Sequence, residues 1–171
     1  FGMGRIGLVM AKRCKGAFDM RIIYHNRSRN HEAEQLFGAK YVSFDELIRE
    51  SDVLSVHSVL SDETRGLFNR EVFSQMKPSS IFINTSRGGV HNEADLIEAL
   101  NQGSIWGAGL DVTNPEPMKP DNPLLDMPNV AVLPHIGSAT VEARNGMARI
   151  AAGNIISFYQ RREVPNCINP Q

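Results

Sequence analysis

The 171-residue sequence predicts a doubly wound α/β domain built on a parallel sheet, with its first strand truncated. Three observations lead there. Short apolar runs of β-branched character alternate with stretches whose apolar residues fall three or four apart, the periods of buried strands and amphipathic helices. Parallel strands need a crossover, and a helix covering the sheet supplies it. The chain also opens on Gly2-Met3-Gly4-Arg5-Ile6-Gly7, a glycine spacing suited to a turn between a strand and a helix.

In chain order, the sequence opens at Phe1 without an initiator Met and runs straight into the glycine turn, so it reads as truncated. Ile6 to Cys14 follows as a helix, Arg21 to Tyr24 as a strand, Ala33 to Phe37 as a helix, and Lys40 to Val42 and Val53 to Val56 as strands. Val72 to Met76 is helical and Ser80 to Ile83 extended. Ala94 to Leu100 is the best-marked helix, because Asn92 can cap it, Asp95 suits its positive first turn and Gly103 can stop it. After a strand from Ile105 to Leu110, residues 113–129 carry Pro115, Pro117, Pro120, Pro123 and Pro128, whose missing N–H groups and fixed φ predict a loop without regular structure. A loop of that length usually has a function. Asn129 to Leu133 closes the set of strands, and Ala139 to Tyr159 reads as one long helix despite Gly146 and Gly153.

Charge and cysteine content exclude several classes. Eighteen Lys and Arg against nineteen Asp and Glu leave a net charge of −1, which offers no field for nucleic acid or an anionic membrane. No apolar run approaches the ~18 to 20 residues of a membrane span. Cys14 and Cys167 lie at opposite ends with no CxxC pair or Cys/His cluster, so neither a disulfide framework nor a metal site is indicated. A reducing, cytoplasmic setting is expected, any targeting segment lying upstream of Phe1.

The opening turn carries specific chemistry. Gly2 allows the tight turn, Gly4 lets backbone approach a pyrophosphate, and Gly7 lets the helix pack closely, while unbonded N–H groups at the helix start face the anion. About 20 residues on, where an acid would read a free ribose 2′-hydroxyl, the sequence is Tyr24-His25-Asn26-Arg27-Ser28-Arg29. There is no carboxylate. Arg27 and Arg29 flanking Ser28 suit a 2′-phosphate instead, which predicts NADP(H) preferred over NAD(H); the plainer alternative is two solvated surface arginines.

Three polar residues stand just beyond strand ends, where ligands bind in open α/β sheets. Arg87 follows Ile81 to Ser86, Glu116 lies in the loop after Leu110-Asp111-Val112, and His135 follows Leu133-Pro134. Reduction of an α-keto acid needs a cation to hold the carboxylate and polarise the carbonyl, an acid to protonate the nascent alkoxide, and a neighbour that favours the charged acid. The Arg87 fork suits the first task, and the imidazole of His135 with the Glu116 carboxylate nearby suits the other two. Each residue alone has a bland reading as a surface group. Their conjunction at successive strand ends is what points to a site.

With these residues in place, the sequence resembles the D-isomer-specific 2-hydroxyacid dehydrogenases over essentially its whole length. The motifs are the glycine turn, Asn84-Thr85-Ser86-Arg87-Gly88, Gly109-Leu110-Asp111-Val112 leading to Pro115-Glu116-Pro117, and Pro134-His135-Ile136-Gly137-Ser138. Residues 111–117, residues 136–140 and the Arg-Ser-Arg segment look most like the branch that reduces glyoxylate and hydroxypyruvate. The resemblance implies Arg87 on the substrate carboxylate and carbonyl, His135 as acid/base and Glu116 tuning it. It also implies Arg5 and Ile6 at the pyrophosphate, Thr85 and Asp111 along the nicotinamide half, and Gly137 and Ser138 at the edge of the site, Ser138 beside the substrate. Val59 stands where the family commonly has Pro, next to the cofactor. Residues 1–160 would then form the dinucleotide-binding domain and residues 161–171 a tail returning to a substrate domain that begins upstream. Without that domain the chain should be a poor catalyst. A homodimer is implied as well, although Trp106 and the apolar side chains of the last helix also fit ordinary core packing. Rival readings are another branch, of phosphoglycerate or D-lactate type, and a non-enzymatic corepressor that senses nicotinamide nucleotides. Formate dehydrogenases pair the histidine with Gln, so Glu116 argues against them.

Overall fold

The structure, a computed structural model, describes residues 1–168. It forms two compact units, Phe1–His135 and a second beginning at Ile136. The last three residues of the expected tail, 169–171, lie outside the described residues.

In the first unit, helices α1 (Arg5–Phe18), α2 (His31–Phe37), α3 (Phe44–Glu50), α4 (Arg70–Gln75) and α5 (Glu93–Asn101) alternate with strands β1 (Ile23–Tyr24), β2 (Lys40–Tyr41), β3 (Val53–Val56), β4 (Ile81–Asn84), β5 (Gly107–Leu110) and β6 (Val130–Val132). The side chains of Asn30, Ser43, Asn69 and Asn92 accept hydrogen bonds from the first turns of α2, α3, α4 and α5. Gly103 takes φ +68 after α5, as its stop position requires. Helix α3 was not among the expected elements. Ser43 caps the N–H of Glu46, Asp45 and Glu46 occupy the first turn, and Leu47 and Ile48 are buried beneath it. The signals were the Ser43-x-x-Glu46 spacing and the apolar Phe44, Leu47 and Ile48, three and four residues apart.

All strand pairs are parallel, but they form two sheets rather than one: β1-β2 and β3-β4-β5-β6. Phe1 and Gly2 stand between them. The Phe1 terminal nitrogen donates to the Ser55 carbonyl at 2.8 Å, its carbonyl accepts from His57 N at 2.8 Å, and Gly2 N donates to the His25 carbonyl at 3.0 Å. A cavity of about 420 Å³ opens beside them, lined by residues 20–24 and 50–55 among others.

The main core joins Leu54, Val56, Phe82 and Leu110 of the larger sheet to Phe68, Phe73 and Leu96, all buried. A smaller cluster joins Met3, Ala11, Tyr24, Ala33 and Ala39 under the glycine turn. The proline-rich loop is not wholly irregular. Residues Pro123–Leu125 make a 3-10 turn capped by Asn122, with Leu124 buried, because the fixed φ of proline suits the first position of a helical turn.

The second unit contains α6 (Val141–Tyr159), capped by Thr140 and uninterrupted at Gly146 and Gly153. None of its side chains is buried, and Phe158 is 70% exposed. In the first unit Trp106 is 60% exposed, so core packing describes neither Trp106 nor the apolar side chains of α6. Among the described residues no helix is long and apolar enough to cross a membrane.

Candidate active site

The glycine turn is built from backbone crowding at two positions and open space at the third. A Cβ on Gly2, which has φ +89, would lie 2.8 Å from the His57 carbonyl carbon, and one on Gly7 would lie 2.2 Å from the Gly2 oxygen. A Cβ on Gly4 would meet nothing within 4 Å. Two glycines therefore serve the chain's own packing, while Gly4 leaves room for a ligand to reach the backbone. Gly4 is also the cap of α1 without a side-chain bond, and no acid stands in the first turn, so the N–H groups at Arg5 and Ile6 present their partial positive charge outward. Arg5 and Ile6 are exposed. These features fit a dinucleotide pyrophosphate.

The segment after β1 is tied to this turn. Asn30 accepts from Ala33 N at 3.0 Å and donates through Nδ2 to the Met3 carbonyl at 2.8 Å, so one side chain caps α2 and holds the glycine loop. Sequence reasoning missed this role; the cap position was legible, the long-range acceptor was not. Arg27 and Ser28 are exposed, and Asn26 Nδ2 donates to the Ser28 carbonyl at 3.1 Å. Arg29 is engaged elsewhere, its Nε and Nη2 each 2.9 Å from an oxygen of Glu34. Val59 is 71% exposed, its carbonyl accepting from Thr64 Oγ1 at 2.7 Å.

Arg87 leaves the end of β4 in extended conformation, exposed, with Nη1 donating to the Ser86 carbonyl at 2.6 Å. Beneath it lies a fully buried Asn84. Its Nδ2 donates to the Arg87 carbonyl at 3.0 Å and to His91 Nδ1 at 2.9 Å, and its Oδ1 accepts from Ser86 N and Oγ, each at 2.9 Å. Burial holds the His91 pKa down to about 4, which keeps Nδ1 available as an acceptor. Thr85 is exposed beside this turn, and Asp111, buried at the end of β5, donates its N–H to the Asn84 carbonyl at 3.0 Å.

Gly88 brings the Arg87 turn against the loop that carries Glu116. A Cβ at Gly88 would fall 1.9 Å from the Thr113 carbonyl oxygen, so only glycine permits this approach. The same loop is gripped from α5, where the Glu93 carboxylate accepts from Asn114 N at 3.2 Å and from Asn122 Nδ2 at 2.6 Å. Glu93 was also missed as a site residue, because a first-turn acid is ordinary helix chemistry.

His135 Nδ1 and Glu116 Oε1 are 2.5 Å apart, at the carboxyl-end rim of β5 and β6. His135 adopts φ +54, a region a non-glycine residue seldom holds outside turns and functional sites. The carboxylate accepts from Nδ1–H and fixes the ring, which leaves Nε2 as the nitrogen able to exchange a proton. Gly137 and Ser138 fall at the head of the second unit, ahead of α6.

The glycine turn and the strand-end pair together make the first unit a dinucleotide-binding α/β domain. Residues 1–137 match the NAD binding domain of the D-isomer specific 2-hydroxyacid dehydrogenases. The chain belongs to that family. It is 50% identical over 169 residues to glyoxylate/hydroxypyruvate reductase B of Shigella boydii serotype 4, covering 99% of this chain and 52% of that protein. The TT0316 protein of Thermus thermophilus superposes with a TM-score of 0.91 at 43% identity, over 98% of this chain and 52% of its own. An NADPH-dependent glyoxylate/hydroxypyruvate reductase of Sinorhizobium meliloti, solved with NADP and malonate, gives 0.88 at 37% identity, over 96% and 50%. The chain spans about half the length of the curated relatives it matches.

Proposed function

We propose that this chain supplies the nucleotide-binding part of an NADPH-preferring reductase that converts glyoxylate or hydroxypyruvate to glycolate or D-glycerate. The carrying observation is the 2.5 Å contact between Glu116 and His135. The names of the Shigella and Sinorhizobium relatives support the substrate class. When bound, the reduced nicotinamide supplies the hydride that adds to the keto carbon. Arg87 pairs its guanidinium with the substrate carboxylate and draws charge from the carbonyl. His135 gives its Nε2 proton to the oxygen that becomes the hydroxyl, and Glu116 stabilises the ring in the orientation that allows it. The carbonyl, an aldehyde in glyoxylate and a ketone in hydroxypyruvate, becomes the alcohol on gaining hydride at carbon and the His135 proton at oxygen, and the reverse sequence oxidises the alcohol. Gly4, Arg5 and Ile6 hold the pyrophosphate, and Val59, Thr85 and Asp111 line the path to the nicotinamide. Asn26, Arg27, Ser28 and Arg29 form the segment around the 2′-phosphate.

Two copies are expected to associate, with the exposed Trp106 and the apolar side chains of α6 available for burial. The thiol of Cys14 suits the reducing cytoplasm. Oxidation of NADPH by the full protein with glyoxylate, hydroxypyruvate, pyruvate and phosphohydroxypyruvate tests the assignment. The first two are expected to be preferred, and His135→Ala to lower the rate by about 100-fold or more. An undiminished rate in that variant, or preference for one of the other two acids, would contradict it.

A further inference from the structure

The segment after β1 presents two arginines that the sequence treats alike, and the structure treats them differently. Arg29 holds Glu34 through two parallel bonds of 2.9 Å, the fork geometry that uses guanidinium and carboxylate most fully. Glu34 is itself anchored, its side chain 17% exposed against 60% for Arg29. Its Oε1 also accepts from the hydroxyl of Tyr24 at 2.7 Å, and that buried phenol accepts from Asn30 N at 2.7 Å. The bond from Arg29, followed by that from Tyr24, holds the Glu34 carboxyl down to about 2, so it stays ionised through the neutral range. The pair faces a polar cavity of about 360 Å³ lined also by residues 38–41, toward the connection between α2 and β2. Arg27 is exposed as Arg29 is, but makes no such fork with a carboxylate among the described residues. The carboxyl of Glu63, lowered first by its bond from Ser61 Oγ and then by its own backbone, also feels the charge of Arg27.

Resting on the NADPH reading above, we infer that Glu34 is a specificity-determining residue: it withdraws Arg29 from the 2′-phosphate and leaves Arg27, with Ser28, as the phosphate reader. An Arg29–Glu34 pair has no net charge, and the Nε/Nη2 edge of the fork is already occupied. The cluster therefore offers the 2′-phosphate one free guanidinium rather than two. Glu34 thereby limits the discrimination between the phosphorylated and unphosphorylated dinucleotide.

Calorimetric titration of the full protein with 2′,5′-ADP and with 5′-AMP tests this without turnover. Glu34→Gln keeps an oxygen for Tyr24 and removes the charge that holds Arg29. It is expected to tighten 2′,5′-ADP about three- to tenfold and to leave 5′-AMP unchanged. Arg27→Ala is expected to weaken 2′,5′-ADP by about tenfold or more, again sparing 5′-AMP. Arg29→Gln alters an exposed side chain, so it keeps the question open to test even if Glu34→Gln does not fold; its effect on 2′,5′-ADP should be far smaller than that of Arg27→Ala. If Arg27→Ala spares 2′,5′-ADP, the NADPH reading itself fails. If Arg27→Ala weakens it while Glu34→Gln brings no gain, or Arg29→Gln loses as much as Arg27→Ala, the role given to Glu34 is overturned.

Discussion

At the scale of single residues, the support beneath Arg87 depends on a neutral histidine. Asn84 uses both amide hydrogens, one on the Arg87 carbonyl and one on His91 Nδ1, so a proton on Nδ1 would set two donors against each other. Burial lowers the His91 pKa from 6.5 to about 4. The unfolded chain therefore takes up this proton near pH 6.5 and the folded chain only near 4. The stability that a neutral His91 contributes is complete above pH 6.5 and is lost as pH falls toward 4, with a limiting slope of about 1.4 kcal/mol per pH unit from this one group. Urea unfolding followed from pH 7 to 4.5 should show a shallower decline for His91→Gln, which offers Asn84 an oxygen without a titrating nitrogen. Parallel declines in the two proteins would show that His91 is not the group responsible. The sequence displayed Arg87, Glu116 and His135 because their chemistry is rare at strand ends. It hid Asn84 and His91, whose role lies in hydrogen bonds between residues that pattern alone treats as strand and loop.

At the scale of elements, the site depends on two backbone segments meeting without a side chain between them. Gly88 begins a short 3-10 turn after Arg87, and its place against Thr113 O admits no Cβ. Gly88→Ala must push the β4 turn away from the loop bearing Glu116. We expect it to cost about 1 to 3 kcal/mol of stability and to reduce activity more than that loss of folded protein explains. Thermal unfolding and turnover measured together check this, and wild-type values for both would refute the contact. Most elements were legible here through their apolar periods, and α5 also through its ends: Asn92 ahead of it and Gly103 after it stand where the sequence placed them. Helix α3 was missed although Phe44, Leu47 and Ile48 stand three and four residues apart and Ser43 and Glu46 marked its start. The proline-rich loop was recognised as a loop, but not its 3-10 turn or its attachment to Glu93, since a side chain gripping positions 21 and 29 residues away leaves no local pattern.

Across the molecule, successive parallel strands deliver groups distant in sequence to one rim. β4 ends at the Arg87 turn, β5 leads into the Glu116 loop, and β6 ends just before His135. The parallel pairing throughout β3-β4-β5-β6 was predictable as a class, because strands alternating with helices return in the same direction. The strands divide into two sheets, with Phe1 hydrogen-bonded to residues 55 and 57 on one side and Gly2 to His25 on the other. The central claim is that Glu116 acts on the reaction through His135 and has no independent route. A double-mutant cycle of Glu116→Gln and His135→Ala, read as kcat/KM for glyoxylate with NADPH in the full protein, tests this most directly. Glu116→Gln alone should lower kcat/KM by about 10- to 100-fold, and in the His135→Ala background it should have almost no further effect. Losses that multiply across the two positions would contradict the account.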